Sequence, residues 1–403
     1  MNKKHRTIVV VAVLAAGGAI AAAGPNEGGF QIRPRVGLAG TYDSNIFLAP
    51  QRAVAAWIAE PELSVGLGFR GKRSNLQGGY EIMPRIYSEY QQVNNAIHQT
   101  AMLTGSYEFK PGGLIGLDDL FRITSDPATS ELTRRALRNR NDGAFMLDLP
   151  VGSKLYFGLR ATDTIHHYRS SATPQEELGL AYLLDRNELV AGARLGVRAT
   201  EKTKVYAFYK VANVDFKKND VNDSKGNLMG AGIEGDLTAR LTGIVEANSV
   251  SRKYSQTITG EPNEYTTGGF SATLKWKAPS DWTVGVSGGR GFQESVFNRY
   301  YMTNTGSVSI TKPVGKRFEA QVQGSYGVDQ YPGKRSAFLL DRTLPPLVAR
   351  RKDTNISAGL KLIYVLLPRQ TVSARYLVRQ RTSNFDTYNY TDSTVTLSAD
   401  YTF

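Results

Sequence analysis

From about Gln31 to Phe403 one pattern recurs: a run of alternating apolar and polar residues, a tight turn, a second such run, then a longer polar loop. Between Glu188 and Thr200, Leu189, Ala191, Ala193, Leu195, Val197 and Ala199 share one parity, and Glu188, Gly192, Arg194, Gly196 and Arg198 share the other. Leu155, Phe157, Leu159 and Ala161 likewise oppose Lys154, Tyr156, Arg160 and Thr162. Phe318, Ala320, Val322, Tyr326 and Val328 oppose Glu319, Gln321, Gln323, Ser325 and Asp329. Residues two apart in a strand point to the same side, so each run has one oily and one wet face.

A soluble sandwich and a membrane barrel would both alternate in this way; three features favour the barrel. The runs holding Phe270, Ala272, Leu274, Trp276 and Ala278, or Val372, Ala374, Tyr376 and Val378, reach the ~10 residues that a tilted membrane strand needs. The connections alternate in length. Short ones such as Gly71–Ser74, Pro111–Gly113, Glu201–Thr203, Pro279–Asp281 and Leu367–Arg369 suit periplasmic turns, and Thr124–Asn139, Lys217–Gly226 and Gly333–Lys352 suit outer loops. The last residues, Val395, Leu397, Ala399, Tyr401 and Phe403, alternate and end on an aromatic carboxy-terminus, the form of an assembly signal read by the barrel-assembly machinery. The expected fold is all-β: a transmembrane antiparallel up-and-down barrel of about 18 strands, both termini periplasmic, with 16 as the alternative if the blurred runs Gly113–Ser125 and Thr242–Ser255 are not strands. Tyr107, Phe109, Trp276, Trp282, Tyr364, Tyr401 and Phe403 fall near strand ends, as in the aromatic girdles that meet the two lipid–water boundaries.

The amino-terminus reads differently. Lys3, Lys4 and Arg6 precede an apolar run from Ile8 to Ala23 that ends Ala21-Ala22-Ala23, the pattern of a secretory signal peptide over 1–23. A short lead, 24–30, then precedes a barrel over 31–403, and no plug or periplasmic domain is expected before it. Beyond the signal no apolar run is long enough for a membrane helix, which excludes a helical transporter. Cysteine is absent, so neither disulfides nor thiolate metal sites hold the chain together.

At the top of the first expected strand lies Tyr42-Asp43-Ser44-Asn45-Ile46-Phe47. With the aromatic carboxy-terminus, this hexapeptide resembles the opening of the putative β-barrel porin 2 family. That resemblance implies an outer-membrane barrel, often beside exopolysaccharide systems. It also implies a role in exporting an anionic polysaccharide together with a periplasmic polysaccharide-export protein; the alternative is a general diffusion porin.

If the oily faces meet outer-membrane lipid, the wet faces line a lumen with a mild basic bias. Its candidate basic residues are Arg194, Arg198, Lys275, Lys277, Lys361, Arg375, Arg379 and Arg381. The last four fall on neighbouring strands with no acid read on the same faces, and such a stripe would concentrate anions; ordinary pairing of charges across adjacent strands is the competing reading. Lys334, Arg335, Arg342, Arg350 and Arg351 in the Gly333–Lys352 loop would extend the track, and that loop or Thr124–Asn139 could fold inward to narrow a porin. On this register Leu195→Arg or Leu274→Arg should cost ~2–4 kcal/mol near mid-membrane, and Arg194→Leu should be mild.

No enzymatic site is expected. His166 and His167 are adjacent and point to opposite faces of a strand, so they cannot share a metal without a bulge. With His98 they read as solvated, loop-proximal side chains, and no nucleophile elbow accompanies them that would make a lipase. Asn219–Gly226 is oxygen-rich, but its glycine falls one place late and the bidentate Glu of a calcium loop is missing, so it reads as a solvated outer loop. No cofactor or metal is expected. Nor is nucleic acid a partner, because the cations alternate with apolar residues instead of forming a patch.

Overall fold

The computed structural model describes residues 29–109, 112–127, 136–169, 178–257, 262–295, 298–332 and 350–403. The expected signal peptide, 1–23, and nearly all of the lead lie outside them. The described residues form one antiparallel sheet of 18 strands that closes on itself. The first six are β1 (Phe30–Asp43), β2 (Ala56–Arg70), β3 (Ser74–Tyr87), β4 (Ala96–Phe109), β5 (Gly113–Thr124) and β6 (Arg138–Val151). Next come β7 (Leu155–Tyr168), β8 (Arg186–Arg198), β9 (Thr203–Phe216), β10 (Ser224–Asp236), β11 (Leu241–Tyr254) and β12 (Glu264–Lys277). The circuit ends with β13 (Thr283–Glu294), β14 (Tyr300–Val314), β15 (Phe318–Gln330), β16 (Lys352–Leu367), β17 (Gln370–Ser383) and β18 (Tyr390–Thr402). Both blurred runs are strands, β5 and β11, which decides for 18 over 16.

Each strand pairs with its neighbours in the chain, and β1 pairs with β18 from Arg35↔Thr402 to Asp43↔Thr394, so no sheet edge remains. In hydrocarbon an unpaired backbone N–H or C=O costs several kcal/mol, and closure removes that cost. Tight turns such as 71–73, 152–154 and 368–369 join strands at the lower end, where Phe30 and Phe403 also lie; the longer connections stand at the upper end.

The oily parity faces outward throughout the expected runs. Leu38, Leu63, Leu195, Leu397 and Phe403 are each about 60% exposed on the bare barrel, the condition of side chains that belong against lipid. Register gives the height of the band. Phe30↔Phe69 marks the lower rim, Tyr42↔Trp57 the upper, and Val36↔Leu63 lies midway. The outer face is not wholly apolar: Asp119 and Asp163 point outward either side of Gly143, and Asp119 Oδ1 accepts from Asn141 Nδ2 at 2.9 Å.

Candidate functional site

The wet parity lines the interior, and two stretches of that wall differ in chemistry. From β6 to β11 it carries a ladder of compensated charge. Arg194 on β8 reaches Asp148 on β6 (3.0 Å) and Glu234 on β10 (2.7 Å), while Asp148 also receives Arg160 (2.8 Å) and Lys204 (2.9 Å). The Arg194 guanidinium lies between the rings of Tyr156 (5.4 Å) and Tyr206 (4.9 Å), and Tyr206 donates to Glu246 (2.9 Å). Arg194 lies on the inner face, where it is buried and doubly paired, which argues against a mild effect of Arg194→Leu.

From β12 to β16 the inner wall is low and hydroxylic. Ser287 meets Ser307 (2.7 Å) and Ser325 meets Ser357 (2.7 Å), all exposed to the lumen. This wall is flanked by cations. Lys275 and Lys277 sit on the wet parity of β12, and Lys361 on β16 lies directly opposite Arg375 on β17. Among the described residues no carboxylate lies within ion-pair distance of these four or of Arg198. Glu319, the nearby acid on β15, accepts from Gln321 (2.7 Å).

The rest of the expected basic stripe is broken up. Arg379 lies directly opposite Asp392 and donates to it from Nε at 3.0 Å, and Asp392 is fully buried. The reading that no acid shares these faces is therefore corrected: Asp392 stands at the start of β18, where a short strand end hid its parity. Arg381 is also buried, donating to Asn355 (3.0 Å) beneath the Tyr390 ring. Most of the Gly333–Lys352 loop lies outside the described residues. At its end Arg351 is fully buried, bound to Asp353 (2.9 Å) and stacked on Tyr388 and Tyr331, so it is no part of an accessible track.

The hexapeptide proves to be the clasp of the barrel seam. Asp43 Oδ1 accepts the Asn45 N–H (2.9 Å), and the Asn45 amide donates to the carbonyls of Ala49 (2.9 Å) and Thr391 (3.1 Å). Ser44 N–H donates to the Ser393 carbonyl, and Ser393 N–H returns to Ser44 Oγ (2.8 Å). Ile46 is buried with Ala56, Ile58 and Tyr87, while Tyr42 faces outward beside Trp57 (5.2 Å). Asp43, Ser44 and Asn45 thus tie the first strand to the last, and Ile46 helps roof the upper rim.

Two histidines differ from expectation. His166 and His167 do point to opposite sides, but His166 is buried against Arg186 (3.3 Å), and only His167 is well exposed. His98 is buried as well; its Nε2 accepts the Ser125 N–H (3.2 Å) and lies 2.9 Å from Ser125 Oγ, fastening the top of β5 to β4. Loop proximity suggested solvation, whereas the loops fold over these positions.

The upper mouth holds a feature the sequence did not single out. By parity Phe292, Glu294 and Tyr300 belong to the outer face of β13 and β14, yet they pack on Arg252, Tyr254 and Tyr265 of the inner faces of β11 and β12. Tyr300 lies edge-on to Tyr265 (4.6 Å) and to Phe292 (4.8 Å), and Glu294 pairs with Arg252. An outer face can rest on its neighbours' inner face only if the β13–β14 tip leans into the lumen. Asn222, in the β9–β10 connection, is buried and donates to the Ser295 carbonyl (3.3 Å), so the tip spans β11 and β12 inside the mouth. Asn222 thus belongs to this contact, not to the solvated loop read for Asn219–Gly226. Half of Thr124–Asn139, residues 128–135, and most of the Gly333–Lys352 loop lie outside the described residues.

Among solved structures the chain is similar to the outer membrane protein OpdK from Pseudomonas aeruginosa (11% identity, 93% of this chain and 99% of that chain, TM-score 0.46). It is also similar to OccAB3 from Acinetobacter baumannii (10%, 92% and 99%, 0.45) and to OccK3 from Pseudomonas aeruginosa (13%, 92% and 95%, 0.44). No curated protein matches it. The model of one family, described as Putative beta-barrel porin 2, matches residues 159–403, which includes the aromatic carboxy-terminus but not the hexapeptide. That match covers well over half of the sequence, and the chain belongs to this porin family of the bacterial outer membrane.

Proposed function

We propose that this outer-membrane channel is a passive diffusion pore for small hydrophilic solutes, with a preference for anions. The observation that carries the reading is the asymmetry of the inner wall. One side neutralises its own charges in the Asp148–Arg194–Glu234 ladder. The other offers an open hydroxyl surface flanked by Lys275, Lys277, Lys361 and Arg375. Like charges directly across a strand pair are unfavourable unless water or a counter-ion lies between them, so Lys361 and Arg375 favour an anion in the adjacent lumen. Weak, multiple contacts of this kind admit an ion and still release it.

Export of an anionic polysaccharide, which the family resemblance implies, finds less support. Arg194, Arg379, Arg381 and Arg351 would have to serve the polymer, and each is already held by other side chains. Nor do the histidines suggest catalysis, since His98 and His166 are buried in contacts that fasten strands.

The test is the reversal potential of the purified protein in a planar bilayer under a salt gradient. An anion-selective potential that moves toward zero in Lys361→Gln with Arg375→Gln supports the reading, and an unchanged potential overturns the assignment of selectivity. Deleting the gene and measuring surface polysaccharide separates the two transport readings. A lost polysaccharide coat would restore export; an intact coat with slower solute uptake would leave the diffusion pore.

A further inference from the structure

The short turns at the lower end of the barrel carry an excess of cations that the chain as a whole does not. Among the described residues, the β2–β3 turn holds Lys72 and Arg73, and the β14–β15 turn holds Lys316 and Arg317. The β6–β7, β8–β9, β10–β11 and β16–β17 turns hold Lys154, Lys202, Arg240 and Arg369. Against these eight cations, the same turns and the β12–β13 turn hold two acids, Glu201 and Asp281, whereas the whole chain has 49 basic and 36 acidic residues. All eight are exposed. Among the described residues only Lys202 has a carboxylate within ion-pair distance, Asp236 at 3.1 Å.

Their distribution indicates what they face. These turns are spread round the circuit from β2 to β17. The one fully described turn without a cation is flanked by Lys312, on the outer parity of β14, whose ammonium lies over the Trp282 ring (4.6 Å). A globular partner would touch one sector of the rim, and an anion in the lumen only its inner edge; a lipid leaflet meets every side. Height agrees with this. Phe69, Leu155 and Val314, outward and exposed, stand at the feet of β2, β7 and β14, so the turn cations project just below the apolar band. That is the level of lipid phosphates, where Lys and Arg lay their stems along apolar surface and Trp settles at the boundary.

We propose that the lower turns, with Lys312, form a cationic collar that binds the headgroups of anionic phospholipids in the adjacent leaflet. The short turns of an outer-membrane barrel face the periplasm, so the lipid is that of the periplasmic leaflet. Each cation close to an anionic lipid surface strengthens association about fivefold, and the attraction fades beyond a Debye length of ~8–10 Å. One headgroup therefore feels only the nearest turn, and the preference for an anionic over a zwitterionic lipid at any one place is about fivefold, not the product over the whole collar. The collar goes beyond the channel reading and is independent of it: it needs the barrel in its bilayer and nothing of what crosses the lumen.

Tryptophan reports on this end directly. Of the 3 tryptophans, Trp276 and Trp282 lie beside the lower turns, and Trp57, at the upper rim, is removed as Trp57→Phe. The protein is reconstituted in phosphatidylcholine vesicles in which a fixed fraction of the lipid has brominated acyl chains, on either phosphatidylglycerol or phosphatidylcholine. Bromine quenches tryptophan fluorescence on contact. Brominated phosphatidylglycerol should quench more, by an amount equivalent to about a fivefold preference, and high salt should narrow the difference. Lys312→Gln, Lys316→Gln and Arg317→Gln together should abolish the preference, while Lys312→Arg with Lys316→Arg should retain it. If the Trp57→Phe protein does not fold, the phosphatidylglycerol that wild-type protein and the triple variant each retain through gel filtration in detergent is compared instead, and equal retention overturns the collar. Equal quenching by the two lipids, or a preference that survives the triple substitution, overturns it as well. Salt-sensitive binding of soluble polyglutamate without any lipid preference also overturns it, and assigns these cations to an acidic protein partner.

Discussion

Arg194 and Leu195 are adjacent residues on opposite faces of β8, and the structure reverses the order in which their substitutions should hurt. Leu195 faces outward, but it stands only three residues from the lower end of its strand. At ~3.3 Å per residue and a tilt of ~40°, that is ~8 Å above the rim, where a charge facing lipid costs nearer ~1 kcal/mol than the midplane value. Leu63 is the proper midplane site, being six residues from Phe69 and six from Trp57, and Leu63→Arg should cost ~2–4 kcal/mol. Arg194→Leu removes the partner of both Asp148 and Glu234. Loss of one member of a buried ion pair ordinarily costs ~3–5 kcal/mol. Here Asp148 keeps Arg160 (2.8 Å) and Lys204 (2.9 Å), and Glu234 keeps Lys204 (3.4 Å), which brings the expected loss to about 3 kcal/mol. The assay is urea unfolding in lipid vesicles followed by tryptophan fluorescence, with heat-modifiable gel migration as the control for folding. Glu234→Gln added to Arg194→Leu should recover part of the loss, since Asp148 then still pairs with Arg160 and Lys204 and no acid has lost its main partner. A wild-type midpoint for Arg194→Leu beside a severe loss in Leu195→Arg would refute both the ladder and the height assigned to it.

Removing Phe403, which packs edge-on to Tyr401 (4.8 Å) on the outer face of the closing strand, should lower outer-membrane levels without altering the conductance of the protein that does assemble. Wild-type levels would contradict an assembly role for Val395, Leu397, Ala399, Tyr401 and Phe403. Asn45→Ala deletes three bonds across the clasp and its loop and should cost about 2–3 kcal/mol, read as a lower urea midpoint; an unchanged midpoint would show that the seam does not depend on it. Replacing His98, His166 and His167 together should reduce stability while leaving solute permeation per folded channel unchanged, and permeation lost at normal folding would point to a role in transport.

The barrel was legible because alternation is local: Leu189 to Ala199 or Phe318 to Val328 state their two faces without any knowledge of partners. Which strand lies opposite which is also nearly determined in an up-and-down sheet, so Arg194 could be placed on the inner wall. Its burial could not, because that depends on Tyr156 and Tyr206 closing over it from neighbouring strands. Asp392 was missed for a similar reason. It lies two residues past Tyr390, at the rim where alternation is diluted by loop residues, and only the Arg379↔Asp392 register reveals the pair. The leaning tip leaves still less trace. Its described residues keep the alternation of an ordinary strand, and glycine is too common in a chain with 40 of them to mark a bend. The hexapeptide was noticed as a motif, but its work, joining β1 to β18, appears only when residues 348 or so apart meet at Ser44 and Asp392.

A diffusion pore of this kind is open to water from end to end. Purified, heat-modifiable protein added to a planar lipid bilayer tests it most directly. Stepwise increases in current, each the insertion of one conducting barrel, are the expected result; folded protein that inserts and carries no ionic current would contradict it.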